Sequence, residues 1–250
     1  MLTPNSAGHY RFLEGIDPYS CGVVADPGHE IVRVPLRAWM PWRQGFEFVD
    51  RFLARAGVGR ASLCAMELRS PRPFSMEGFI DYNRGYCGVL EEWGLLPGGI
   101  NPVARTNVAP LQGPPPGVSL HAFSFVRPSA TPDGPTGFIV AGAGELREGT
   151  LEPERIVRRG EISREAMLEK AGYVLEVMQQ RLDALGVGWG EATAVNVYTV
   201  HPLEESLRQL LLDRIGPATR HGLCWHVTRP PVTEIEFEMD VHGPAVQLLG

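Results

Sequence analysis

The spacing of apolar residues along the chain alternates between the period of an α-helix and that of a β-strand. This alternation divides the chain into predicted helices and strands. Apolar residues recur at the spacing of an amphipathic helix in four stretches, which predicts four helices. The four stretches are residues 44–56, 76–96, 163–185 and 203–215. Shorter runs rich in β-branched and aromatic residues lie between them and predict strands. These runs are residues 22–36, 62–68, 103–110, 119–126, 137–142, 192–200, 224–228 and 234–241.

The predicted elements follow the same order twice. In each half, a strand region leads to a helix, a strand, a second helix and two closing strands. The loops after the first long helix also match, since AGVG at residues 56–59 corresponds to LGVG at residues 185–188. Internal duplication explains this agreement, and chance similarity of two α/β segments is the alternative. We therefore predict an α+β fold of two tandem domains, each a mixed β-sheet with two helices packed on one face.

A stretch rich in proline, glycine and small polar residues separates the two halves. Residues 127–137 read RPSATPDGPTG, a composition typical of a linker or a long crossing loop. The sequence thus predicts an N-terminal domain at residues 1–128, a linker at 129–136 and a C-terminal domain at 137–250.

Composition narrows the possible partners. A net charge of −6 disfavours nucleic acid, because binding to phosphates requires a basic surface. The four cysteines are scattered without a CxxC pair, so neither a metal site nor a disulfide framework is predicted. The N-terminal residues lack the pattern of a signal peptide, and no apolar run approaches the length of a membrane span. We expect a cytoplasmic protein.

Four short segments resemble the motifs of one family of small α+β proteins. The segments are DPYS at residues 17–20, FIDYN at 79–83, ART at 104–106 and IEFEM at 235–239. In their order and spacing, they resemble the YjgF/Rid family of imine and enamine deaminases, formerly described as endoribonuclease L-PSP. The resemblance covers the whole chain as two tandem copies and implies a chorismate-mutase-like fold for each.

The resemblance also implies a site that needs no cofactor and binds a small carboxylate. Arg105 would hold the substrate carboxylate, because the planar guanidinium can donate to both oxygens at once. Tyr19 and Asn83 would form the wall of the pocket. Glu236 would orient water or carry a proton. Its alternative is a solvent-facing role, since acidic residues alternate along the same predicted strand.

The chain departs from the family pattern at several positions. His121 stands where the first half should carry the closing glutamate, and Gly222 stands where the second half should carry the arginine. Because histidine titrates near neutrality, His121 is a further catalytic candidate, with a structural role as the alternative. Cys224 and His226 are two positions apart on a predicted strand, so they face the same side and are candidates for binding substrate. An activated thiolate at Cys224 is a further alternative to an ordinary cysteine.

These observations predict a hydrolase that deaminates an imine, an enamine or a related small carboxylate at a cleft between domains or subunits. The alternatives are a chorismatase-like hydrolase or lyase acting on a cyclic carboxylate, and a non-catalytic scaffold that binds small molecules. The acidic chain makes an endoribonuclease the weakest option. Single-domain relatives form trimers, so the resemblance implies a homo-oligomer, with a trimer favoured, and no metal.

Overall fold

The computed structural model describes residues 2–131, 134–147 and 151–250. Within these ranges the chain forms four α-helices. They are α1 (Trp42–Arg55), α2 (Met76–Glu92), α3 (Arg164–Leu185) and α4 (Glu205–Ile215). The strands are β1 (Leu2–Asn5), β2 (Tyr10–Leu13), β3 (Gly22–Ala25), β4 (His29–Pro41), β5 (Leu63–Arg69), β6 (Ala104–Pro110), β7 (Ser119–Pro128), β8 (Phe138–Gly144), β9 (Ala194–Tyr198), β10 (Cys224–His226), β11 (Thr228–Arg229), β12 (Glu238–Gly243) and β13 (Val246–Gln247).

Two mixed sheets form the inner layers of the molecule. The first has the strand order β1-β2-β3-β8-β12-β9-β10 and the second has the order β11-β6-β5-β7-β4-β13. Helices α3 and α4 pack on the first sheet, and α1 and α2 pack on the second. The inner faces of the two sheets meet in an apolar cluster that includes Phe12, Val23, Ile31, Ala104 and Ile139. The predicted α+β class is confirmed.

One connectivity occurs in both sheets. The order β6-β5-β7-β4 in the second sheet corresponds to β10-β9-β12-β8 in the first. In both, the first pair is parallel and the other two pairs are antiparallel. Strands β1 to β3 nevertheless join the first sheet, where β3 pairs with β8, and β11 and β13 join the second. The division into two tandem domains at residues 129–136 therefore stays a prediction, and Pro132 and Asp133 lie outside the described residues.

The ends of the helices follow the signals in the sequence. The side chain of Ser163 accepts a hydrogen bond from the backbone N–H of Ala166 and begins α3. Gly186 ends that helix with a φ of 75°, a conformation that glycine adopts without steric cost. In the described part of the chain, no helix is long and apolar enough to cross a membrane.

The last predicted strand of the second half is shorter than expected. The sequence predicts a strand over residues 234–241, whereas β12 begins at Glu238. Glu234 has a φ of 72°, which breaks an extended run. The backbone N–H groups of Glu236 and Phe237 donate to the side chain of Glu145 rather than to a neighbouring strand. This segment is therefore irregular, which changes the direction of its side chains.

Candidate functional site

A cavity of about 250 Å³ lies between the two sheets, and we call it the inter-sheet cavity. Both halves of the chain line it. The first half contributes Tyr19, Phe79, Arg105 and Asn107, together with residues 14–16 and Cys21. The second half contributes residues 142–144 of β8, Leu146, Arg147, Leu151, Arg181 of α3, residues 231–232, Ile235 and Glu238 of β12. The cavity is thus a cleft between the halves of one chain.

The side chain of Arg105 projects from β6 and is surrounded by aromatic rings. Only 3% of its surface is exposed. The guanidinium carbon lies 4.7 Å from the ring centre of Tyr86, 5.0 Å from Tyr19, 5.6 Å from Phe79 and 5.9 Å from Tyr82. Aromatic faces attract a cation and fix its orientation. The rings therefore hold the guanidinium in place without neutralising its charge.

The hydrogen bonds of Arg105 are incomplete. Its Nη2 donates to Oδ1 of Asn83 at 2.7 Å, while the buried Nη1 has no hydrogen-bond partner among the described residues. The Nδ2 of Asn83 also lacks one. A buried cation without a counter-ion is costly. Arg105 therefore presents an unused donor to an anionic ligand.

Glu238 enters the cavity from the other half of the chain, and only 4% of its surface is exposed. Burial raises the pKa of Glu238 well above its usual range, and the nearby carboxylates of Asp240 and Glu145 raise it further. The positive charges of Arg69 and Arg181 oppose this shift. The raised pKa therefore favours the protonated form of Glu238, which is the form that can donate a proton.

Gly142 allows Glu238 to occupy this position. A Cβ atom built on Gly142 would overlap Oε1 of Glu238 and lie 3.1 Å from Cγ2 of Thr106. The backbone N–H of Gly142 donates to Oγ1 of Thr106 at 3.1 Å. The glutamic acid thus packs directly on the backbone of β8, an approach that a side chain at residue 142 would prevent.

Two further arginines line the cavity. Arg181 is buried, and its Nη1 donates to the carbonyl oxygen of Ala141 at 3.0 Å. Burial raises the pKa of Tyr19, while Arg105 and Arg181 oppose the rise, so both charges act on the Tyr19 hydroxyl. Arg147 is exposed at the rim, 5.7 Å from the ring centre of Tyr173. The cavity therefore suits a ligand with more than one negative charge.

Of the residues predicted from the sequence, Tyr19 and Arg105 line the inter-sheet cavity, and Asn83 binds Arg105. Glu236 does not line it. Its Oε2 lies 2.7 Å from Nε2 of His201 and 3.8 Å from Nη1 of Arg229. The glutamate that faces the cavity is the one two positions later, because residues 234–237 are not extended.

His121 and His226 lie elsewhere in the molecule, and neither lines the inter-sheet cavity. The indole N–H of Trp39 donates to Nδ1 of His121 at 2.9 Å, and burial lowers the pKa of His121 to about 3. His226 lies 3.0 Å from Oδ1 of Asn196, and burial lowers its pKa as well. Both imidazoles are therefore neutral.

Cys224 lies on β10 at the edge of the first sheet and does not line the cavity. Partial burial of its thiol, together with the charge of Asp240, raises its pKa. This is the opposite of the activated thiolate that the sequence allowed, because a reactive thiolate requires a lowered pKa. Among the described residues, no group of three or more histidine, cysteine, aspartate or glutamate side chains could hold a metal ion.

Among the lining residues that sequence reasoning missed, Glu238 and Arg181 carry the most chemistry. Arg181 carried a recognisable signal, because it lies at helical spacing between the apolar residues Met178 and Leu185 of α3. An arginine on an apolar face is unusual unless it is paired or functional. Glu238 lies in the IEFEM segment, and only the backbone geometry distinguishes it from Glu236.

A family model described as "2-aminomuconate deaminase CnbZ" matches residues 2–248 of the chain. The chain belongs to this family. It is also 40% identical over 239 residues to the 2-amino-5-chloromuconate deaminase of Comamonas testosteroni, an alignment that covers 95% of this chain and 94% of that protein. The prediction of a deaminase from the sequence thus agrees with membership of a deaminase family.

Similarity to solved structures is more distant. A chorismatase crystal structure aligns with a TM-score of 0.48 and 15% identity, covering 89% of this chain and 77% of the chorismatase. A provisionally assigned endoribonuclease from Thermotoga maritima aligns with a TM-score of 0.31 and 18% identity, covering 43% of this chain and 78% of that protein. The link of this deaminase family to the YjgF/Rid proteins stays a resemblance.

Proposed function

We propose that the chain deaminates 2-aminomuconate or a substituted 2-aminomuconate. The observation that carries the proposal is the pairing of two groups in one cavity: a buried arginine with an unused donor and a buried glutamic acid whose pKa is raised. The first can bind a carboxylate and the second can deliver a proton. The names of the matching family and of the Comamonas relative support this choice of substrate.

The charges of the cavity fit such a substrate. An aminomuconate is an unsaturated dicarboxylate with an amino group next to one of its carboxylates. Arg105 would bind the carboxylate beside the amino group, through its free Nη1. Arg181 would bind the far carboxylate. The apolar side chains of Phe79, Val232 and Ile235 would lie along the carbon chain between them.

Deamination would begin with a proton from Glu238. The substrate is an enamine, so protonation of its carbon chain moves the double bond and creates a C=N group next to the carboxylate on Arg105. Glu238 becomes a carboxylate in this step. It then takes a proton from the water that attacks the C=N carbon.

Collapse of the water adduct completes the reaction. The second proton of the attacking water passes to nitrogen as the carbon–nitrogen bond breaks. The net change is addition of one water and release of one ammonia, which leaves a 2-oxo dicarboxylate and a protonated Glu238. Burial raises the pKa of Glu238, which favours return of the acid to its protonated form after each turnover.

The test is ammonia release from freshly prepared 2-aminomuconate. We expect the wild-type protein to release ammonia, and Arg105→Ala to lower kcat/KM by about ten- to a hundredfold through loss of a charged hydrogen bond. Arg84→Ala is the matched control, because this exposed arginine lies on α2, pairs with Asp81 and does not line the cavity. No ammonia release by a folded wild-type protein would contradict the proposal.

A further inference from the structure

Glu145 and Lys170 form an ion pair with no exposed surface on either side chain. The Nζ of Lys170 lies 3.0 Å from Oε1 of Glu145 and donates also to the carbonyl oxygen of Val157 at 2.9 Å. Lys170 is the only lysine of the chain. The burial of this lysine on α3 therefore requires a structural or functional explanation.

The carboxylate of Glu145 also binds the backbone just before Glu238. Its Oε1 accepts the N–H of Glu236 at 2.6 Å, and its Oε2 accepts the N–H of Phe237 at 3.0 Å. Burial raises the pKa of Glu145, while Lys170 and the N–H of Glu236 oppose the rise. With Lys170, three donors point at the two oxygens, an arrangement that favours the ionised carboxylate. Glu145 thus fixes the two residues that immediately precede Glu238.

The pair joins three segments that form walls of the inter-sheet cavity. Glu145 directly follows β8, whose residues 142–144 line the cavity. The bond from Lys170 to Val157 closes the loop that carries Leu151, and the bonds to residues 236 and 237 hold the segment between Ile235 and Glu238. The Glu145–Lys170 pair therefore connects the end of β8, the carbonyl of Val157 and the segment just before Glu238.

We propose that Glu145 and Lys170 are a positioning pair for the deamination, which holds Glu238 and the adjoining cavity wall where the substrate meets the acid. This inference rests on the proposed function for the identity of the reaction. Stability alone does not account for the pair, because a buried ion pair contributes little net stability compared with apolar residues of similar size. Its particular effect is to fix backbone next to the acid.

The charge of Glu145 also acts on Glu238. The titratable and charged groups that act on Glu238 are Asp240 on its own strand, Glu145 at the end of β8, Tyr19, Arg69 of β5 and Arg181 of α3. The carboxylates raise the pKa of Glu238 and the arginines lower it. Replacing Glu145 by a neutral glutamine therefore shifts the pKa of Glu238 downward.

The test compares Glu145→Gln, the double variant Glu145→Gln/Lys170→Met and a control. The control is Glu67→Gln, which breaks another largely buried ion pair, that of Glu67 with Arg33 at 2.7 Å in the second sheet. We expect both Glu145 variants to lower kcat at least about tenfold while KM changes less than about threefold, because Arg105 lies on β6 outside the pair's contacts. The double variant leaves no unpaired buried charge, so it separates positioning from folding.

A second measurement tests the effect of the pair on the pKa of Glu238 and does not depend on enzyme activity. Glutamate labelled with carbon-13 at its carboxyl group gives a signal for Glu238 that is identified by its loss in Glu238→Gln. We expect this signal to titrate at lower pH in Glu145→Gln than in wild type or Glu67→Gln. An unchanged titration, an equal loss of kcat in Glu67→Gln, or recovery of kcat in the double variant would overturn the proposal. A folded wild type without deaminase activity would overturn the proposed function, while the titration would still decide whether the pair acts on Glu238.

Discussion

Two buried side chains of the inter-sheet cavity depart from what stability favours. Arg105 is a cation with an unused donor and no carboxylate partner among the described residues. Glu238 is a carboxyl group whose pKa is raised by burial. Each arrangement costs free energy in the empty protein, and each is relieved by a substrate that brings a carboxylate and accepts a proton. Sites that lower stability in this way are typical of function.

We expect Arg181 to determine the preference of the protein for dicarboxylate over monocarboxylate substrates. Replacing it by leucine removes the charge but fits the apolar neighbours Met178 and Leu182 on α3. We expect Arg181→Leu to raise KM for 2-aminomuconate by about tenfold, which corresponds to loss of one charged hydrogen bond. KM for a 2-imino monocarboxylate should change little. Steady-state ammonia release with both substrates checks this, and an equal rise of both KM values would contradict the assignment.

Glu238 also predicts a dependence of stability on pH. Its pKa is higher in the folded protein than in the unfolded chain, so the folded state binds more protons above the unfolded value. The favourable contribution is present at low pH and is lost as pH rises through the folded pKa. Glu238→Gln cannot ionise, so we expect the melting temperature of this variant to rise relative to that of wild type as pH increases above the unfolded pKa of glutamate, about 4.3.

Glu234→Gln is the matched control for this experiment. Glu234 is exposed, and its hydrogen bond from Arg159 lowers its pKa. Its ionised form therefore adds stability above the unfolded pKa, so this variant should not gain on wild type as pH rises. Thermal melts of the three proteins across the pH range give the comparison. If Glu238→Gln tracks wild type at every pH, Glu238 is not held protonated.

At the scale of secondary-structure elements, the close contact between β8 and β12 determines the shape of the site. Gly142→Ala would push its new methyl group onto Oε1 of Glu238. We expect this variant to lower kcat by about tenfold or more, because the displaced acid no longer meets the substrate. Gly88→Ala is the control, since nothing lies within 4 Å of a Cβ at this helical position. It should keep full activity and gain about 0.5–1 kcal/mol of stability.

The outcome for Gly142→Ala can be read from kcat and the melting temperature together. Loss of kcat with a small change of melting temperature supports displacement of Glu238. Full activity in Gly142→Ala would mean that displacement of Glu238 does not affect the reaction, which would contradict the role of Glu238 as the acid.

Elements whose signals are local could be predicted from the sequence. The α3 helix has apolar residues at helical spacing, Ser163 before it and Gly186 after it, and the structure confirms both ends. Strands β1 and β2 were not predicted, because they are four residues long and owe their form to pairing with each other and with β3. Tertiary pairing, rather than intrinsic propensity, decides such short segments.

The site could be predicted only where a motif carried it. Arg105 and Tyr19 followed from the segments around them, and both line the cavity. Glu236 was chosen from the family resemblance, whereas Glu238 is the glutamate that lines the cavity, and the side chain of Glu145 binds the backbone of the segment between them. A contact between residues 91 positions apart in the chain leaves no periodic signal in the sequence.

At the scale of the whole molecule, the two halves depend on each other. Strand β3 of the first half pairs with β8 of the second, and the inner faces of both sheets share one apolar cluster. Arg105 and Glu238 come from opposite halves, so one chain is enough to assemble the inter-sheet cavity. The trimer that the family resemblance implies stays a proposal, and light scattering of the purified protein tests it.

This dependence predicts the behaviour of the chain when it is divided within residues 129–136. A fragment of residues 1–128 would leave β3 without β8 and expose the apolar inner face that includes Ile31 and Ala104. We expect neither this fragment nor residues 137–250 to unfold cooperatively alone, because each loses the buried surface that offsets the entropy of folding. Co-expressed fragments should copurify and recover deaminase activity, since none of the residues that line the cavity lies at the break. Calorimetry of each fragment provides the measurement, and a cooperative transition in residues 137–250 alone would instead identify that half as an independent domain.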